Sequence, residues 1–205
     1  MERWLALELA STIRHDGDGG VTDDLATAQG ATRWIQAQTD LLPVHLRVGE
    51  CVADEALWGE ITELRRAVRA LFAKAVSPAP PSAADACQLP SAEQALAHLN
   101  AVAAREAVVP RLDWPPEGAP VARLLPTDHD PRIRLMAALA RAAVDFLSGP
   151  QRLQLRACSA PRCVRYFLKS HGRQEWCKPS CGNRARAARH YQRQRMAADR
   201  PSPSS

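Results

Sequence analysis

Residues 158–195 read CSAPRCVRYFLKSHGRQEWCKPSCGNRARAARHYQRQR. Four cysteines fall there in two close pairs, Cys158 with Cys163 and Cys177 with Cys181. The spacings are C-x4-C and C-x3-C, with thirteen residues between the pairs. Zinc prefers a closed tetrahedron of soft ligands at structural sites, and two short-spaced pairs let two tight turns supply two thiolates each. The expected ligands of one structural Zn2+ are therefore Cys158, Cys163, Cys177 and Cys181. Catalytic zinc keeps a position open for water and draws on His or carboxylate ligands, whereas four thiolates fill the tetrahedron. His171 is the nearby competitor for a ligand place and is expected at an exposed turn instead.

Between the pairs, Val164, Tyr166, Phe167 and Leu168 precede a His171-Gly172 break, and Gln174 and Trp176 follow, a pattern that predicts a short β-hairpin after the first pair. Pro179 is tolerated in a first helical turn, and Ala185, Ala187 and Ala188 favour helix beyond it, so Cys181 should ligate from the start of a helix. Knuckle, hairpin and helix in this order are similar to the treble-clef arrangement of zinc ribbons. Gly182 is expected to allow close backbone approach beside the metal, and Asn183 to orient a cysteine-bearing turn. At 100° per residue, Arg186, Arg189 and Arg193 lie within about 60° of one another, with Arg184 on the opposite side. A basic stripe on a zinc-organised helix suits contacts to nucleic-acid phosphates. The plain alternative is a solvated charged face, and Arg184 either reaches a phosphate or braces the finger against the rest of the chain.

Charge is unevenly divided. Residues 1–150 hold 14 Lys and Arg against 20 Asp and Glu, a balance of −6, while residues 151–205 hold 13 against 2, a balance of +11. Such segregation points the C-terminal part at a polyanion, with nucleic acid the leading candidate, or at the acidic part of the same molecule. No apolar run is long enough to span a bilayer, and the chain is expected to be cytoplasmic, with reduced thiols. Cys51 and Cys87 lie in unrelated contexts.

The first 150 residues predict a mainly helical body. Helices are expected over Arg3–Ile13, from Thr22 or Thr27 to near Thr39, over Asp54–Val76, from a Ser91/Gln94 capping box onward, and over Pro131–Leu147. In the last of these, Ile133, Met136, Ala137, Ala140, Val144 and Leu147 are read as the buried face. The HDGDGG stretch at 15–20 is read as a surface loop, and SPAPPSAADACQLP at 77–90 as a long surface loop or flexible insertion. Two short strands are expected around the Pro-Pro-Glu-Gly turn at 115–118, with Pro110 and Pro120 restricting them to edge positions. The fold class is thus a multihelical body with a small β-hairpin plus a C-terminal treble-clef-like zinc finger. Its expected divisions are 1–150, 151–197 and a disordered tail at 198–205. Scattered Asp, Glu and His residues form no acid–base pair or nucleophile motif, and no enzyme is expected.

The finger is identified by Cys181-Gly182-Asn183-Arg184, by Tyr166-Phe167-Leu168, by the Arg173–Cys177 approach and by the arginine- and alanine-rich helix ending in Tyr191. On these residues the chain resembles bacterial proteins that carry a CGNR-type zinc finger behind an ABATE domain. The opening WLALELAST is similar to that family's start. Family members often have an Asp-hydrophobic-hydrophobic-Asn-Thr run where this chain has Glu8-Leu9-Ala10-Ser11-Thr12, and Lys169 stands where an acidic residue is common. The resemblance implies stress-related transcription regulators. The expected function is DNA binding in transcriptional regulation, with Arg184, Arg186, Arg189 and Arg193 on the nucleic acid. The helical body would sense a small-molecule effector or mediate homodimerisation. The rival is a protein-interaction module whose basic helix docks on an acidic surface.

Overall fold

The helix around which the body is built runs from Glu55 to Val76 and is labelled α3 below. Asp54 caps it by accepting from the Leu57 N–H at 2.8 Å, and Leu57, Ile61, Leu64, Val68, Leu71 and Phe72 are all buried, as their spacing predicts. The computed structural model describes residues 3–15, 20–85, 89–127 and 130–198. Cys87, most of the HDGDGG stretch and residues 199–205 of the tail lie outside the described residues.

In chain order, α1 (Leu5–Ala10) leads into an antiparallel ribbon of β1 (Ile13–His15) and β2 (Val21–Asp23), followed by α2 (Ala28–Gln36). After α3 come α4 (Ala92–Ala104), the antiparallel pair β3 (Val108–Asp113) and β4 (Val121–Pro126), and α5 (Pro131–Ser148). The last elements are β5 (Leu155–Ala157), β6 (Tyr166–Leu168) and α6 (Pro179–Ala198). α3 packs against α1, α2, α4, α5 and β5, and one apolar core is shared by the five body helices with β5 and β6. Local chemistry sets the helix starts: Thr27 accepts from the Gly30 N–H, the Ser91/Gln94 capping box is formed in both directions, and Asp130 caps α5.

Four readings need correction. α1 stops at Ala10, because Ile13–His15 is drawn into the ribbon with β2. The buried face of α5 is Leu135, Met136, Ala137, Leu139, Ala140, Ala143 and Phe146, rotated from the expected one, and Ile133, Val144 and Leu147 are only partly covered. The proline-rich segment is no free insertion: Ser82 and Asp85 are buried, and residues 83–85 form a 3-10 turn. Finally, β6 pairs with β5 and not with residues 174–176, in the register Leu155↔Leu168, Arg156↔Phe167 and Ala157↔Tyr166. Leu155 is fully buried in the body core, which fixes β5 as the partner, while Gln174 is spent on the Ser170 N–H at 2.8 Å. The first cysteine pair therefore sits in the loop of the hairpin, between its strands.

Candidate metal centre and basic helix

Cys158 and Cys163 come from the β5–β6 loop. That turn is closed by Cys158 N–H to Arg165 O at 2.9 Å and Cys163 N–H to Ala160 O at 3.0 Å. Cys177 precedes α6 and Cys181 lies in its first turn, where the positive end of the helix dipole favours a thiolate. All four sulfurs lie within 4.8 Å of one another. Cys163 and Cys177 are 3.7 Å apart and Cys177 and Cys181 3.5 Å. A tetrahedron with Zn–S bonds of about 2.3 Å has edges of about 3.8 Å, so the donor set fits a single zinc with no place left for a water. Bound there, the metal supplies structure. Ala160, Phe167 and Ala185, with Trp176 beside them, enclose the site in its own small apolar cluster.

Thiol hydrogen bonds from Cys158 and then Cys177 hold Cys163 far below the usual thiol range, at about 3. The shared bonds with Cys158 and Cys163 push Cys177 the other way. Zinc needs thiolates, so protons compete with the metal and affinity rises with pH. Zinc should stay bound at neutral pH and leave as pH falls. Dialysis against a chromophoric chelator at stepped pH checks this, and occupancy unchanged through the carboxylate titration range would contradict it.

β6 faces two ways because neighbouring strand residues point to opposite sides. Phe167 packs on the metal cluster and Tyr166 enters the body core. There the Tyr166 hydroxyl donates to Asp85 at 2.7 Å, and burial, then the charge of Asp85, push its pKa upward. Asp85 is also paired with Arg69 of α3 at 2.7 Å, with the two side chains 2% and 1% exposed. Arg69 further donates to Ser82 Oγ at 2.9 Å, to Val164 O at 3.2 Å and to Ala10 O, and its guanidinium lies 5.2 Å from the Tyr166 ring centroid. Val164 adjoins Cys163, so one buried cation ties the metal knuckle to α1, α3 and the proline-rich segment. Sequence reasoning missed Arg69, Asp85 and Ser82. The available signal was an arginine inside the apolar stripe of α3, where a buried cation requires a partner.

On α6, Arg186 and Arg189 lie over the Trp176 ring at 5.9 and 5.7 Å, and Arg186 donates to Asn183 Oδ1 at 2.6 Å. A Cβ on Gly182 would come within 2.9 Å of Trp176, so the glycine lets this ring sit on the first turn of the helix. Arg186, Arg189 and Arg193 are exposed. Arg184 lies apart from them, partly buried, and donates to Cys181 Sγ at 3.3 Å. Among the described residues no arginine of α6 is ion-paired with a carboxylate of the body. His171 is exposed, as expected. No described helix is long and apolar enough to cross a membrane.

A family model named ABATE, described as a putative stress-induced transcription regulator, matches residues 4–150, and the CGNR zinc finger model matches residues 154–194. No match is found among curated proteins. The metal-binding cysteines fall within the second match, and the helical body built on α3 fills the first. The chain therefore belongs to the ABATE family and carries a CGNR zinc finger that holds one zinc.

Proposed function

We propose that this protein regulates transcription in the cytoplasm by binding DNA through α6, with residues 1–150 as the regulatory unit and 151–197 as the DNA-binding one. The observation that carries the reading is the exposed stripe of Arg186, Arg189 and Arg193, the first two laid over Trp176 and all three free of body carboxylates among the described residues. Zinc fixes α6 against the knuckle, because so short a segment cannot bury enough core alone. Phosphate contacts come from these three arginines. Arg184, turned to the Cys181 sulfur, supports the metal centre as a hydrogen-bond donor to a ligand. Among the described residues no arginine of α6 is ion-paired with a carboxylate of the body, so the rival reading is left with docking on an acidic surface of another protein.

The test is anisotropy of a labelled random-sequence duplex titrated with zinc-loaded protein over a salt series. The logarithm of the affinity should fall linearly with the logarithm of salt, and each lost phosphate contact should reduce the slope by about 0.9. Replacing Arg186, Arg189 and Arg193 together with Ala should therefore lower the slope by about 2.7, with zinc content unchanged. An unaltered slope would contradict the assignment of the stripe.

A further inference from the structure

Between α1 and the finger lies a cleft of about 630 Å³. Its volume falls in the range of roughly 300–1,000 Å³ typical of small-molecule sites, which favour boundaries between structural units. One wall is α1, with Trp4, Leu7, Glu8 and Ser11, and the other is β6 with its flanks, including Arg165, Leu168 and Cys177. Glu8 and Ser11 belong to the segment between Trp4 and Thr12 that the metal centre leaves unused. Leu5, Ala6, Leu9, Ala10 and Thr12 of that segment are buried, so only its outward face is available to a ligand.

Besides the Cys177 sulfur, Glu8 and Arg165 line the cleft, and these two are not equivalent. Glu8 shares Arg3 with Asp40, at 3.3 and 2.6 Å, whereas Arg165, partly buried, forms no ion pair among the described residues. The cleft thus offers a guanidinium with no ion-pair partner among the described residues, beside apolar walls. A planar fork of N–H donors matches a carboxylate in bidentate fashion, and apolar walls of this kind remove a hydrocarbon or aromatic group from water. We propose that this cleft binds a small apolar organic acid. Its carboxylate sits on Arg165, with the Ser11 hydroxyl as a second donor, and its apolar part lies against Trp4, Leu7 and Leu168. Such a ligand touches both α1 and the strand that carries the metal knuckle, since the Arg165 carbonyl accepts from the Cys158 N–H at 2.9 Å. The site stands on its own geometry and does not depend on what α6 binds.

Calorimetric titration of the zinc-loaded full chain with 1-naphthoate, and with 1-naphthamide as its uncharged counterpart, tests the proposal. Naphthoate should bind saturably, and the amide at least about tenfold more weakly. Arg165→Gln should lower naphthoate affinity by about tenfold or more at unchanged zinc content, and Arg165→Lys should restore part of it. Should Arg165→Gln fail to fold, the comparison of acid and amide on the unaltered protein decides. Absence of naphthoate binding, equal binding of the amide, or affinity indifferent to Arg165→Gln would each overturn the site. Binding is read directly as heat, so such a result leaves the DNA reading standing.

Discussion

Replacing Cys181 with Ser in the full chain is expected to bring zinc content from one per chain to near zero and to lower the stability of the helical body as well as that of the finger. Structural zinc contributes on the order of 10 kcal/mol to the folding of a small finger, and losing a thiolate removes most of it. The effect spreads because the finger and body share a core. Leu155 and Tyr166 belong to the body's apolar cluster, and Tyr166 stacks edge-on against Phe72 with ring centroids 5.4 Å apart. Once β6 is released, the body loses a buried aromatic, worth about 3 kcal/mol or more by analogy with large-to-small core substitutions. Metal analysis and urea unfolding, followed by circular dichroism, check both parts. A body midpoint indifferent to zinc would mean that the finger is merely appended.

Arg69→Ala should be the most damaging single change in the body. Its removal strands Asp85, whose side chain is 2% exposed, with Tyr166 as the remaining donor from the network, and takes a donor from Ala10 O and from Val164 O, the latter keeping the Ser82 hydroxyl. Breaking one side of a buried ion pair costs about 3–5 kcal/mol, because an uncompensated charge remains. The same argument gives a second expectation. Arg69→Met combined with Asp85→Leu should cost less than Arg69→Ala alone, since both charges leave together. Denaturant unfolding of the three proteins is the measurement, and a double variant as damaged as the single one would contradict the electrostatic account.

What could be read from the sequence was what local chemistry decides. Two cysteine pairs at zinc spacing, a Ser91/Gln94 capping box and a long apolar stripe on α3 each have a short-range cause, and each is present in the fold. What escaped depends on contacts distant in sequence. β5 is three residues long, and only the burial of Leu155 under α3 tells which segment β6 will pair with. Asp85 sits in a segment whose composition says loop, and it is held by a cation sixteen positions earlier and a hydroxyl eighty-one positions later. Trp176 resembles a strand residue in sequence, yet its partners are two arginines one and two turns beyond Gly182 on the same helical face.

The account joins metal, fold and function at α6, and one comparison bears on all three. Anisotropy of a labelled random-sequence duplex is followed at low salt with the zinc-loaded chain and with the same chain stripped by a chelator. The loaded protein should bind with salt-sensitive affinity and the stripped protein should lose most of it, recovering when zinc is restored. Equal binding by both, or no binding by the loaded protein, would contradict the claim that a zinc-organised basic helix meets DNA.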